Sequence, residues 1–229
     1  MGLATDMPWR SLRQTSRIVL RKADLAVEGL DRIPARGPAI IVARHYHHLY
    51  DGASLLATLP RPLHPIVAID WVEGGAMQGI MPRLCAAARW PTVYRTDALG
   101  ATAREVADPA ARRSLRRAIG ESIDLLRDGR LVLIFPEGYP TIDPNESPKR
   151  GPADFLPFQP GVVRIAGMAS RQIGAPVPLI PAGFGYRKEG ERWRIALRFG
   201  APFVLADLPD RDAALARLEA DVRLLSAPP

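Results

Sequence analysis

GPAIIVARHYHHLYDGASLL, residues 37–56, runs from an apolar stretch through a polar cluster into a second apolar stretch. The Gly–Pro pair is a turn signal. Ala39 to Ala43 then forms a short apolar run without alternation, the pattern of a strand buried on both faces. From Asp51 onward the pattern is helical, with Leu55, Leu56 and Leu59 on one side. A buried strand feeding a helix is the building unit of an α/β fold. At the junction stand His45, His47 and His48, three of the chain's four histidines, with Asp51 just beyond.

The same alternation continues along the chain. HPIVAI (64–69) reads as a strand carrying the fourth histidine, His64, and WPTVYRTD (90–97) as a short strand with Arg95 at its exit. Residues 108–130 give the clearest helix. Asp108 is an N-cap, Pro109 takes the first helical position, and Gly129 ends the helix. Leu115, Ile119, Ile123 and Leu126 are its expected core stripe. LVLIF (131–135) is a continuous apolar strand and PEGYP (136–140) a loop. Residues 160–174 form a helix, 176–186 a buried strand, 192–200 an alternating strand and 210–225 a terminal helix. The pattern predicts one α/β domain over residues 1–229, with a mixed, largely parallel sheet flanked by helices. Residues 1–30 supply a basic helix and lead-in, 31–205 the core and 206–229 a C-terminal helix. The polar stretch 141–158 interrupts this order, and ordered insertions of that length are usually functional or mobile.

Composition narrows the function. The 229 residues are 47% hydrophobic, enough for a core in one domain, and the net charge is +7. A basic balance suits an anionic partner: nucleic acid, a membrane surface or a phosphorylated substrate. Arg10, Arg13, Arg17 and Arg21 recur at helical spacing, either as a solvated face or as a basic face for anionic headgroups. A single cysteine, Cys85, rules out a disulfide within the chain and suits a reducing compartment. Its apolar surroundings make it a small core residue. The N-terminus lacks the features of a secretory signal, and no run approaches the ~20 apolar residues of a membrane span.

Several chemistries lack their residues. His47 and Asp51 have the i, i+4 spacing of helical metal ligands, but only His64 remains to complete a set, so no metal is expected. GASLL (52–56) lacks the last glycine of a nucleophile elbow. No phosphate loop and no nucleic-acid signature appears. What remains is a histidine at a strand end with an aspartate nearby, a pair in which the acid can fix the ring's tautomer. Without a nucleophile in the chain, the natural user of that pair is a substrate hydroxyl, deprotonated by the imidazole.

At this point four blocks, in order, resemble the glycerolipid acyltransferase family, which includes the lysophosphatidate acyltransferases. GPAIIVARHYHHLYDGASLL resembles its first block, WPTVYRTD the second with Arg95, LVLIFPEGYP the third with Phe135–Pro136–Glu137–Gly138, and 158–186 the fourth. The lead-in VEGLDRIPARGP (27–38) also matches, so that the likeness spans about residues 25–200. It implies transfer of an acyl group from acyl-CoA or acyl carrier protein to the hydroxyl of a lysophospholipid-like or other lipid acceptor. It also implies a histidine base assisted by an aspartate and substrate contacts from Arg95, Glu137 and Gly138. Backbone N–H groups around Gly138 would serve the oxyanion. No cofactor is implied. The expected partners are the acyl thioester donor, the lipid acceptor and a membrane surface, not nucleic acid. The expected location is cytoplasmic, at the inner face of the membrane.

The chain departs from the family at two places. The family's H-x-x-x-x-D spacing would put the histidine at position 46, which is Tyr46. A one-residue bulge pairs His45 with Asp51, and an earlier helix start pairs His47 with it. The match at the strand end selects His45 as the base, with His47 as the alternative; Tyr46, His48 and Tyr50 are read as packing residues. A catalytically silent lipid- or acyl-binding member of the fold would show the same broken spacing. Second, the family's Glu-Gly-Thr-Arg is here Glu137-Gly138-Tyr139-Pro140, which removes an arginine that serves the acceptor's phosphate. Lys149 or Arg150 is the candidate replacement charge.

Overall fold

The computed structural model describes residues 3–69, 76–94, 109–144 and 147–229. Helix α1 (Leu3–Val19) precedes β1 (Ala23–Glu28), and β2 (Ala39–Ala43) precedes α2 (Tyr50–Thr58). Strands β3 (Leu63–Pro65) and β4 (Val67–Ala68), helix α3 (Ala76–Ala87) and strand β5 (Thr92–Val93) follow. Then come α4 (Pro109–Arg127), β6 (Leu131–Ile134), α5 (Gly161–Ile173), β7 (Leu179–Glu189), β8 (Arg192–Phe199) and α6 (Arg211–Leu225). The main sheet has the order β1-β8-β7-β2-β6-β3, and β4 and β5 form a separate parallel pair. All contacts in the main sheet are parallel except the β7–β8 hairpin. The fold is therefore the expected single α/β domain with a mixed, largely parallel sheet.

Strand β2 is buried along its whole length because it lies between β6 and β7 and is covered on both faces. Its side chains alternate. Ala39, Ile41 and Ala43 join Leu55, Leu133, Ile180 and Phe184 on one face. Ile40 and Val42 join Val132, Ile165, Leu179 and Leu218 on the other. The catalytic candidates thus emerge at the C-terminal ends of the central parallel strands, where open α/β sheets place their sites.

Three elements differ from the sequence reading. Helix α1 stops at Val19, a 3₁₀ turn carries Arg21, and Ala23–Glu28 is a strand parallel to β8. Its alternation of inward Leu25 and Val27 with exposed Asp24, Ala26 and Glu28 is the signature of an edge strand with one wet face. The inward face of α4 is Ala111, Ser114, Ala118, Ser122 and Leu125, with Ile123 and Leu126, while Leu115 and Ile119 are only half-buried. Small residues let that helix approach its neighbours, and Ser114 donates to the Thr92 carbonyl at 3.2 Å. HPIVAI splits at Ile66: β3 extends the main sheet and β4 leaves it for β5.

Strand β7 carries no side chain where α6 ends. A Cβ on Gly183 would fall 2.5 Å from the Leu225 Cβ, so the C-terminal end of α6 lies directly on the strand backbone. Gly183→Val is expected to lift that helix end and cost about 1–3 kcal/mol. Urea unfolding monitored by far-ultraviolet circular dichroism checks this; an unchanged midpoint would mean that α6 tolerates a shift away from the strand.

Candidate active site

The chain leaves β2 at Ala43, and Arg44 to Leu49 form a loop before α2 starts at Tyr50. Asp51, in the first turn of α2, has no solvent exposure. A buried carboxylate is tolerable only where donors surround it. Asp51 Oδ2 accepts from the Tyr46 N–H at 2.6 Å and the His47 N–H at 3.0 Å, and lies 2.9 Å from His45 Nδ1. Oδ1 accepts from the Tyr186 hydroxyl at 2.5 Å. Because an ionised carboxylate only accepts, the neutral His45 ring carries its proton on Nδ1 and keeps its lone pair on Nε2.

The extra residue between His45 and Asp51 lies in the loop that wraps the carboxylate. Its amides at 46 and 47 turn inward, which lets the ring at position 45 reach the acid. His47 meets Asp51 only through its backbone. Its Nδ1 accepts from the Leu49 N–H at 3.2 Å, and its ring packs among His48, Tyr50 and Trp193. Burial first, then the neighbouring His48, pushes its pKa down to about 4. The Tyr46 ring stacks on Tyr186 at 4.4 Å, and His48 Nδ1 donates to the Ile142 carbonyl at 3.1 Å. Tyr186, held well above the usual phenol range by burial and then by the Asp51 charge, remains a donor.

The His45 ring stacks on Phe135 at 4.1 Å, with 15° between the planes. It is 17% exposed and lines an apolar cavity of about 300 Å³ with Leu49, Leu56, Ile66, Leu133 and Gly138. Gly138 holds φ +78°, and its N–H donates to the Phe135 carbonyl at 3.1 Å. That N–H closes a turn, and Gly138 borders the cavity. Glu137 is fully buried, and its carboxylate binds groups of its own chain. Oε1 accepts from the His45 N–H at 3.0 Å, and Oε2 accepts from the Leu156 N–H at 3.0 Å and from Lys149 Nζ at 2.8 Å. Lys149 is buried in that pair, which leaves Arg150, on the surface, as the exposed cation of the two. Arg95 lies outside the described residues. Among the described residues no group of three or more His, Cys, Asp or Glu could hold a metal ion. His64, on β3 two strands from β2, instead places Nδ1 3.2 Å from the Ala88 and Arg89 carbonyls.

A family model described as Acyltransferase matches residues 24–185, which include both partners of the His45–Asp51 pair and the Phe135–Gly138 turn. The chain belongs to the acyltransferase family. Among solved structures it is similar to the 1-acyl-sn-glycerophosphate (LPA) acyltransferase PlsC from Thermotoga maritima. The two share 16% identity and a TM-score of 0.61, over 94% of this chain and 77% of that one. At that identity the likeness is one of fold. Among curated proteins none matches the sequence significantly.

One residue at this site, Tyr186, escaped the sequence reading, and another, Lys149, was read only as a candidate charge for the acceptor's phosphate. Tyr186 ends the face of β7 that carries Ile180, Ala182 and Phe184, and a polar tip at the end of an apolar face was a usable signal. The pairing of Lys149 with Glu137 had no such signal, since it is reached through an irregular insertion. Tyr186→Phe leaves Asp51 Oδ1 without its donor and is expected to cost about 1.5–3 kcal/mol, read from urea unfolding.

His47 and His64 are both held neutral, with pKa values lowered to about 4, chiefly by burial. The unfolded chain therefore binds more protons than the folded one between about pH 6.5 and pH 4. Stability is full above that window and falls as the pH drops through it, by on the order of 3 kcal/mol per ring. Thermal unfolding across this pH range should show the decline, and His64→Gln should remove about half of it. An equal acid slope in the variant would mean that His64 is not the group responsible.

Proposed function

We propose that the protein transfers a fatty acyl group from an acyl thioester, acyl-CoA or acyl carrier protein, to the hydroxyl of a lipid acceptor, with His45 as general base. The observation that carries this reading is the His45 Nδ1–Asp51 Oδ2 contact of 2.9 Å at the wall of the apolar cavity. Nε2 takes the proton of the acceptor hydroxyl as its oxygen attacks the thioester carbonyl. The tetrahedral intermediate collapses, the carbon–sulfur bond breaks, and the imidazolium returns the proton to the thiolate. Asp51 holds the ring's tautomer and stabilises the transient imidazolium. The cavity offers apolar surface to an acyl chain, with the reacting carbonyl at the His45 end. No enzyme nucleophile and no cofactor is required. With Pro140 in place of the family's arginine and Lys149 buried, the acceptor's headgroup need not be a glycerol phosphate.

Asp51→Asn keeps shape but loses charge and is expected to reduce turnover by about 10⁴-fold. His45→Ala should abolish transfer and His47→Ala should retain a measurable fraction. Both are assayed by mass spectrometry of products from palmitoyl-CoA and a panel of lysolipids. Reversed outcomes for the two histidines would move the base to His47.

We further propose that α1 and the 3₁₀ turn after it hold the enzyme against an anionic membrane surface. No described helix is long and apolar enough to cross a membrane. Arg10, Arg17 and Arg21 are exposed, whereas Arg13 Nε donates to the Ala57 carbonyl at 3.2 Å and ties α1 to α2. Each basic residue near an anionic leaflet contributes about 1 kcal/mol. Replacing Arg10, Arg17 and Arg21 by Gln should weaken co-sedimentation with phosphatidylglycerol vesicles, and salt should weaken binding of the parent protein. Unchanged binding in the triple variant would place the membrane contact elsewhere.

A further inference from the structure

The insertion 141–158 sends one side chain to the backbone of the candidate base. Lys149 Nζ lies 2.6 Å from the His45 carbonyl oxygen and 2.8 Å from Glu137 Oε2, while Glu137 Oε1 accepts from the His45 N–H at 3.0 Å. Both side chains have zero exposure. The three contacts close a ring: His45 N–H to Glu137, Glu137 to Lys149, and Lys149 back to the His45 carbonyl. Both polar groups of the His45 main chain are thereby held by a charged partner. Bonds to ionised groups are shorter and stronger than neutral ones, and no water competes for them here. The same turn supplies Phe135, on which the His45 ring stacks.

Two further anchors fix Lys149 in turn. Arg44, next to His45 and itself buried, donates to the Pro152 carbonyl and lies 3.4 Å from that of Asp154. Its guanidinium sits 4.1 Å over the Phe155 ring. Asp154 Oδ2 accepts from the Arg150 N–H at 2.7 Å and the Gly151 N–H at 3.0 Å, which closes a tight loop directly after Lys149. Burial pulls the Lys149 ammonium below its usual range, and the Glu137 charge opposes that shift.

We propose that Lys149 is a positioning residue for the base: with Glu137 it clamps the His45 peptide from both sides, so that the imidazole is presented to Asp51 and to the substrate in one orientation. The inference rests on His45 acting as the base. Asp51 fixes the ring from its Nδ1 side, and the Lys149–Glu137 clamp fixes the backbone from which the ring hangs. Removing the clamp frees the main chain while the dyad's own side chains stay intact. A small misplacement of a catalytic group lowers the rate of the chemical step far more than it lowers binding.

The test compares Lys149→Met with Leu218→Ala, a core variant in α6 that destabilises without touching the clamp. Three quantities are read: kcat and KM with palmitoyl-CoA and lysophosphatidate, the downfield proton resonance of the His45 Nδ1–H, and amide exchange of residues 44–48. Lys149→Met is expected to lower kcat by about a hundredfold with KM little changed. The Nδ1–H resonance should broaden, and exchange of residues 44–48 should quicken by about tenfold while the central strands remain protected. Leu218→Ala should lower the melting temperature and leave all three site readouts near those of the parent. Should Lys149→Met fail to fold, Lys149→Gln, which keeps a donor and loses the charge, carries the same comparison. A parent-like resonance and parent-like exchange in a folded Lys149 variant would overturn the proposal, as would equal losses in Leu218→Ala. If the parent protein acylates no lipid at all, the acyl-transfer reading fails, and the resonance and exchange still decide whether the clamp exists.

Discussion

A buried anion organises one end of this molecule. The Asp51 carboxylate has no contact with water, and its two oxygens are met by an imidazole, two backbone amides and a phenol. Leaving such a charge unpartnered costs several kcal/mol, so each donor is constrained by the demand that the charge be satisfied. The loop at 44–49 must curl, α2 must start at Tyr50, and β7 must be long enough to bring Tyr186 alongside. The geometry of the His45–Asp51 site follows from an electrostatic requirement that any folded state of this sequence faces.

A second charged group is managed beside the first. Glu137 is buried as completely as Asp51, and its neutralising partner comes from a stretch that composition alone marks as polar and loop-like. Residues 147–158 stay attached because Lys149 carries the counter-charge of Glu137 and because Arg44 binds the carbonyls of Pro152 and Asp154. Ile142 adds backbone contacts to the site loop: its N–H donates to the Tyr46 carbonyl at 2.7 Å, and its own carbonyl accepts from the His48 N–H at 3.0 Å.

Much of this was legible in the sequence, for identifiable reasons. The buried strand 39–43, the helix at 51 and the strand 131–134 each carry a periodicity that depends on local residues only. The Phe135–Gly138 turn was visible as a loop following an apolar strand. Other features depend on partners far along the chain. Strand β1 reads as a continuation of a basic helix until β8 is known to lie beside it. The inward face of α4 is set by small residues, which a search for leucine and isoleucine passes over. Glu137 was expected to contact substrate from the family resemblance, and its pairing with Lys149 is invisible to any local pattern. The ambiguity between His45 and His47 concerned a single loop residue: the His45 ring reaches Asp51 Oδ2, whereas His47 meets that oxygen through its backbone N–H.

The order of strands also sets a schedule for assembly. Strand β1 comes from residues 23–28, yet its neighbour β8 spans residues 192–199. Likewise the histidine loop is synthesised about 140 residues before Tyr186, the phenol that completes its acid. Contacts of such long range are slow to form, and the ribosome delays them further because the second partner does not yet exist. Until the β7–β8 hairpin emerges, the apolar strand 39–43 lacks its neighbour on one side, and Asp51 lacks its phenol. The nascent protein therefore presents this sticky strand early and covers its open edge late, so that its yield in the cell depends on how well the strand is shielded until β7 has been made.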